Sequence, residues 1–215
     1  MSAPPGGPGG LTGISGELAA GLARLLGPDA LPPSRSLRPG GRDPVFVGVD
    51  GWSGSGKTTL AGALADELGA AVVHLDDLVA GWEDLAGSVG RLVETVLPAL
   101  AAGNPAGWRS WDWAAGTPGP GRTQAPAALL VVEGCGAGSC RVRPWLSALV
   151  WVEVPAAVRA ARLRGRPDWG GYRRWFEVWE AQERALRAGD DPRRFADALV
   201  VDDGTTCALT WAAGA

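Results

Sequence analysis

Lys57 is the only lysine among the 20 basic residues of this 215-residue chain, and its neighbours tie it to one backbone shape. It stands in Gly51-Trp52-Ser53-Gly54-Ser55-Gly56-Lys57-Thr58, which meets the pattern GxxxxGK[ST] at every fixed position. A compact ammonium on a thin stem can enter a tight loop between two phosphate groups. A planar guanidinium is too wide for that place. Residues 44–50 form an apolar run rich in β-branched side chains and read as a buried strand. Residues 58–68 carry Leu60, Leu64 and Leu68 at helical spacing. Strand, glycine loop and helix, in that order, turn backbone N–H groups and a helix N-terminus toward an anion. The candidate nucleotide-binding set is therefore Gly51, Ser53, Gly54, Ser55, Gly56, Lys57, Thr58 and Thr59. Lys57 is expected to bridge the β- and γ-phosphates of ATP, and the Thr58 hydroxyl to ligate Mg²⁺. The competing reading is a plain glycine-rich turn lent by a chain with 33 glycines. The strand, lysine, threonine and helix all in place argue against it.

Residues 1–43 read as an N-terminal tail and helix. The first ten are Pro/Gly-rich, 14–26 are an amphipathic helix, and 28–44 are a loop. Residues 44–215 read as one domain. Further strands are expected at 71–75, 129–133, 149–154 and 198–202, with helices at 88–102, 155–164 and 172–187. Near-continuous apolar strands between helices predict an α/β architecture with a parallel five-stranded sheet and helices on both faces. Around a phosphate-binding loop, that is the P-loop NTPase fold.

Composition narrows the function. A net charge of −3 with 20% charged residues leaves no broad basic field for nucleic acid or an anionic membrane. No apolar run approaches the ~20 residues that span a bilayer. No signal peptide is evident. Cys135, Cys140 and Cys207 lack metal-ligand spacing and read as reduced thiols of a cytoplasmic protein. His74 is the only histidine, which excludes a multi-histidine metal site and a Ser-His-Asp triad.

Ligands of open parallel sheets sit beyond the carboxyl ends of the strands, and the acids of this chain fall there. Asp76 and Asp77 follow the second strand, and Glu133 ends the third. Phosphoryl transfer needs one carboxylate at the attacking hydroxyl and another at the metal or its waters. Asp76 is the candidate base, with Asp77 either a second candidate that binds the acceptor or a turn cap. Glu133 is the candidate metal-side acid. Arg162 and Arg166 lie in an arginine-rich stretch, 159–174, that would suit a lid over the γ-phosphate. The alternative is a solvated arginine face. Trp82, Trp111, Asp112 and Trp113 offer apolar walls and one carboxylate for an acceptor, against the option of core filling and a turn cap. Asp203, after the fifth strand, is expected beside the adenine.

Residues 49–59, then His74-Leu75-Asp76-Asp77-Leu78, then Val131-Val132-Glu133-Gly134, then the lid-like stretch 159–168, resemble the uridine kinase branch of P-loop kinases. That group also holds phosphoribulokinase and pantothenate kinase. The order and spacing hold from about residue 44 to 205. Gly81-Trp82 and Trp111-Asp112-Trp113 are similar to small bacterial ATP-binding proteins described as uridine kinase-like. The resemblance implies Mg²⁺- and ATP-dependent phosphoryl transfer to a hydroxyl of a small molecule, with Asp76 as base and Glu133 at the matching strand end. The chain departs from the group in two places. Leu78, Val79 and Ala80 stand where an aromatic follows the Asp, and Pro167 separates Arg166 from Asp168. Two other readings stay open. One is a regulatory nucleotide-binding protein that hydrolyses ATP slowly without an acceptor, and the other is a small-nucleotide kinase. The sequence also leaves a homodimer open.

Overall fold

The computed structural model describes residues 9–27 and 44–213. The Pro/Gly-rich start over 1–8 and the loop over 28–43 lie outside them. The chain begins with a short helix α1 (Gly9–Gly13) and the longer α2 (Ser15–Leu26). Strand β1 (Val45–Gly51) feeds the glycine loop and α3 (Lys57–Leu68), then β2 (Ala71–His74). Helix α4 (Leu85–Arg91) runs through a π-helical turn at Leu92–Val96 into α5 (Leu97–Ala101). Pro98 explains the widened turn, because it has no N–H to donate to the carbonyl one turn back. A hairpin follows, β3 (Ala106–Asp112) and β4 (Thr117–Gln124), and then β5 (Leu129–Glu133) and β6 (Ala148–Glu153). The chain closes with α6 (Ala156–Arg164), α7 (Trp169–Tyr172), α8 (Phe176–Arg187), β7 (Ala198–Asp202) and β8 (Cys207–Trp211).

The main sheet has the order β2-β5-β1-β6-β7-β8. The five strands expected from sequence are all in it and all parallel. The expected count of five is corrected to six, because β8 adds an antiparallel edge strand to β7. Its residues alternate between half-buried and exposed, so it lacks the continuous apolar run that marks the inner strands. The hairpin β3–β4 stands apart as a two-stranded sheet. The single helix expected over 172–187 is divided between α7 and α8.

Successive strand residues point to opposite faces, and each face has its own helical cover. Val47, Val49, Val131 and Val150 pack against Leu18 and Leu22 of α2 and Leu60 and Leu64 of α3. Phe46, Val73, Leu130 and Val132 pack against Leu92, Val96, Leu97 and Leu100 of the opposite layer. Each of these fully buried leucines contributes roughly 1.5–3 kcal/mol. Helix α2 also meets the last strand at one close point. A Cβ at Gly21 would stand 1.8 Å from Cζ2 of Trp211, so only glycine lets the helix approach that indole. Among the described residues no helix is long and apolar enough to cross a membrane.

Candidate active site

The strand order puts the carboxyl ends of β2, β5 and β1 side by side, and the candidate residues converge there. The glycine loop leaves β1 and turns on two left-handed residues, Gly54 at φ +80° and Gly56 at φ +83°. A side chain at Gly54 would meet the Arg159 carbonyl oxygen at 2.7 Å, so the loop and α6 touch backbone to backbone. The first N–H groups of α3, from Lys57 on, have no carbonyl within the helix to bond.

The loop is held from behind by buried charge. Asp50 is 0% exposed and accepts hydrogen bonds from the N–H groups of Gly136 and Gly138 and from Arg187 Nη2 at 3.0 Å. The Arg187 guanidinium also lies 4.3 Å above the Trp52 ring. Glu183, 1% exposed, accepts from the Ser53 N–H at 2.8 Å and from the Cys135 thiol. Trp179 Nε1 donates to the Ser53 hydroxyl at 3.1 Å. Helix α8 thus grips Ser53 from two sides.

Lys57 is buried, and burial alone would lower its pKa. Surrounding negative groups outweigh that loss of hydration and hold it above the ordinary lysine value: a Cys135 thiolate if one forms, then Asp76, Glu133 and Glu183. Burial pushes the Cys135 thiol well up, so at neutral pH it is uncharged and the carboxylates do the holding. Glu133 Oε2 accepts from the Thr58 hydroxyl at 3.1 Å, while Glu133 Oε1 meets His74 Nδ1 at 2.5 Å. That hydrogen bond raises the His74 pKa against the opposing effect of burial. The parallel register places His74 directly opposite Glu133. The strand ends thus carried a signal for His74 that a search for multi-histidine sites passes over.

Asp76 sits in a tight 3₁₀ turn, Leu75–Leu78, after β2. Protein encloses it on most sides, and the loss of hydration pushes its carboxyl above the usual range. Lys57 pulls it back down and Glu133 pushes it up. The side chain remains exposed to a cleft, so water moderates the shift. Two cavities open on this cleft. One, of about 340 Å³, is lined by Gly54, Gly56, Lys57, Thr58, Thr59 and Arg162. The other, of about 370 Å³, is lined by Trp82, Trp113, Tyr172, Trp179 and Asp168. Ser53, Asp76 and Arg166 line both. Asp77 lines neither.

The aromatic cavity is a packed cage. Trp82 stacks on Trp175 at 5.7 Å and an 8° interplanar angle, and its ring is 4.5 Å from that of Trp113. Gln182 Nε2 donates to the Trp82 carbonyl at 2.6 Å. Of the expected acceptor-side residues, Trp82 and Trp113 line this cavity, while Asp77, Trp111 and Asp112 do not. Trp111 lines not this cavity but an adjoining groove, shared with Trp82, Trp113, Arg174 and Trp175. Asp112 accepts from the N–H groups of Ala114 and Ala115 and caps the β3–β4 turn. Trp113, one residue further on, is the ring that enters the cavity. Asp203 lines neither cavity. Its carboxylate accepts from the backbone and hydroxyls of Thr205 and Thr206, which holds it below the usual carboxylate range and closes the β7–β8 turn. Arg162 lines the nucleotide-side cavity but is paired with Asp202 at 2.8 Å. Trp179, Gln182 and Glu183 escaped sequence reading although their i, i+3, i+4 spacing puts them on one helix face. That face reads in sequence like any amphipathic helix.

No family model matches the chain, and no curated protein matches its sequence. Its fold does match solved structures. A protein described as a possible uridine kinase from Bacillus stearothermophilus superposes with a TM-score of 0.59 at 19% identity, covering 88% of this chain and 98% of that one. The D-glycerate 3-kinase of Cryptococcus neoformans var. grubii superposes with a TM-score of 0.58 at 13% identity, covering 92% of this chain and 99% of that one. The chain has the fold of the P-loop kinases, as the resemblance of its motifs implies.

Proposed function

We propose that this protein transfers the terminal phosphoryl group of ATP to a hydroxyl of a small, ring-bearing molecule without phosphate. One observation carries this reading. Asp76 stands at the junction of the glycine-loop cavity and the aromatic cavity and lines both. A nucleotide switch has no need of a carboxylate facing a second, aromatic chamber.

The roles follow from position. The glycine loop and the start of α3 bind the triphosphate, with Lys57 as its buried counter-charge. The acceptor ring packs among Trp82, Trp113 and Tyr172. Asp76 takes the proton of the acceptor hydroxyl, whose oxygen attacks the terminal phosphorus. The bond from that phosphorus to the β–γ bridging oxygen breaks, and ADP leaves. The raised pKa of Asp76 brings its basicity nearer to working pH. Arg166 lies within both chambers and is placed to offset charge on the transferred group. The Thr58 hydroxyl and Glu133 carboxylate, adjacent and both hard oxygen donors, would hold a magnesium ion or its bound waters. Magnesium supplies charge neutralisation on the phosphates. His74 holds Glu133 in orientation from the other side.

A phosphate acceptor fits the cage poorly, because Arg166 is the only cation among its lining residues and is paired with Asp168. The test is ADP release with magnesium and ATP against a panel of nucleosides, sugars and vitamin precursors. Acceptor-dependent ADP formation with a phosphorylated product is expected. Hydrolysis indifferent to every acceptor would replace this reading with the nucleotide switch.

A further inference from the structure

Arg166 and Asp168 form a two-pronged ion pair across Pro167. Nε donates to Oδ1 at 2.9 Å and Nη2 to Oδ2 at 2.6 Å. The two partners do not belong to the same chamber. Arg166 lines both the nucleotide-side and the aromatic cavities, whereas Asp168 lines only the aromatic one. The pair is open to solvent, with side chains 52% and 58% exposed, so it is weak and easily exchanged. The guanidinium also rests 5.7 Å over the Tyr172 ring, a wall of the aromatic chamber. Glycines adjoin the pair at Gly165 and at Gly170-Gly171, and side chains at 170 and 171 would meet nothing. Exchange of the pair needs only that two exposed side chains turn, not that the packed rings of Trp169 and Tyr172 move.

A carboxylate gripping a guanidinium with both oxygens uses the fork that would otherwise grip a phosphate. We propose that Asp168 stands in for the terminal phosphate of the nucleotide until ATP binds. Phosphate then takes Arg166, and Asp168 is left as an unpaired carboxylate inside the acceptor chamber. The aromatic cavity thereby gains a hydrogen-bond acceptor for a substrate hydroxyl only when the donor is already in place. Asp168 is then a specificity-determining residue, and binding is ordered, nucleotide first. The proposal rests on the phosphotransferase reading, since it requires a nucleotide phosphate within reach of Arg166.

The test needs no acceptor. Mg-AMPPNP is titrated calorimetrically into wild type, Asp168→Asn, Arg166→Met and the double variant. Removing the stand-in should tighten nucleotide binding about two- to fivefold, the range of an exposed pair. Arg166→Met should weaken it, and the double variant should match Arg166→Met. If the gain from Asp168→Asn persists without Arg166, it is a general effect of removing a negative charge and the exchange is wrong. Unchanged or weaker binding in Asp168→Asn also overturns it, while the kinase reading stands. If wild type fails to bind Mg-AMPPNP, both fall together. A second readout follows the carboxylate itself. Carbodiimide coupling of glycine ethyl ester at Asp168, quantified by mass spectrometry, should rise on adding Mg-AMPPNP to wild type. In Arg166→Met it should be high with and without nucleotide. Coupling in wild type that does not respond to nucleotide would overturn the unmasking.

Discussion

The two chambers that meet at Asp76 are built in opposite ways. The glycine-loop side comes largely from one stretch of chain, 53–59, and offers turns, N–H groups and a single ammonium. The aromatic side is assembled from side chains of four separate segments: Trp82 before α4, Trp113 from the hairpin, Tyr172 from α7 and Trp179 from α8. A site made of backbone binds what every nucleoside triphosphate shares. A site made of distant side chains can change its occupant one residue at a time. Substitutions in the first chamber should therefore abolish the reaction, while those in the second should redirect it.

The largest effect is expected where the chambers join. Asp76→Asn should lower turnover by roughly 10²–10⁴ while leaving Mg-ATP affinity within about threefold. Asp77→Asn should leave both turnover and affinity nearly unchanged. Turnover unchanged in Asp76→Asn, measured by coupled ADP assay, would erase the junction as the reacting centre. Next is Lys57→Ala. Leaving the phosphates without their buried counter-charge should cost about 2–5 kcal/mol of nucleotide binding by calorimetry, with Lys57→Arg a partial rescue. Undiminished binding would mean that the glycine loop is only a turn. In the second chamber, Trp113→Ala should raise the acceptor KM on the order of tenfold and leave the ATP KM nearly unchanged. Asp112→Ala, at the start of the turn it caps, should move neither. A reversed result for this pair of variants would show that the hairpin enters the cavity by its other face.

The smallest effect concerns His74. Its folded pKa is raised above the ordinary 6.5 by Glu133. The pair's stabilisation is complete below that value and is lost as pH climbs through the raised one. The thermal midpoint of the wild type should therefore fall over that window, and His74→Gln should flatten the fall. With the ring 40% exposed, the difference should be about 1 kcal/mol or less. A wild-type curve parallel to that of the variant would remove His74 from the metal-side cluster.

The same contrast governs what the sequence made legible. Lys57, Thr58 and the flanking strand and helix are adjacent in the chain, so pattern alone located them. Asp76 and Glu133 could be placed because strand ends in a parallel sheet share one edge. The hairpin could not. Strand β4 reads Thr-Pro-Gly-Pro-Gly-Arg-Thr-Gln, and its prolines and glycines are depleted in strands generally. A register shift between Arg109 and Trp111 then changes which side chains face inward. Of the expected group Trp111-Asp112-Trp113, Trp113 lines the cavity and the other two do not. Asp203 and Asp112 were read as ligands because a lone Asp after a strand looks the same whether it binds or caps. Both cap. The pairing of Arg166 with Asp168 across Pro167 was hidden by the interruption that separates them in the chain.

The dovetail of α2 on β8 bears on how this chain reaches its native state. Gly21 and Trp211 lie almost the whole length of the chain apart, and the indole is in position only once β8 has paired with β7. Closing so long a loop early gains little, so the helix docks after the sheet has formed. Widening that contact with Gly21→Ala will then speed unfolding and leave the refolding rate nearly unaltered, as the two limbs of a denaturant chevron would show. Helix α2, near the start of the chain, is in this sense its last to settle, a clasp on a sheet that has already taken shape.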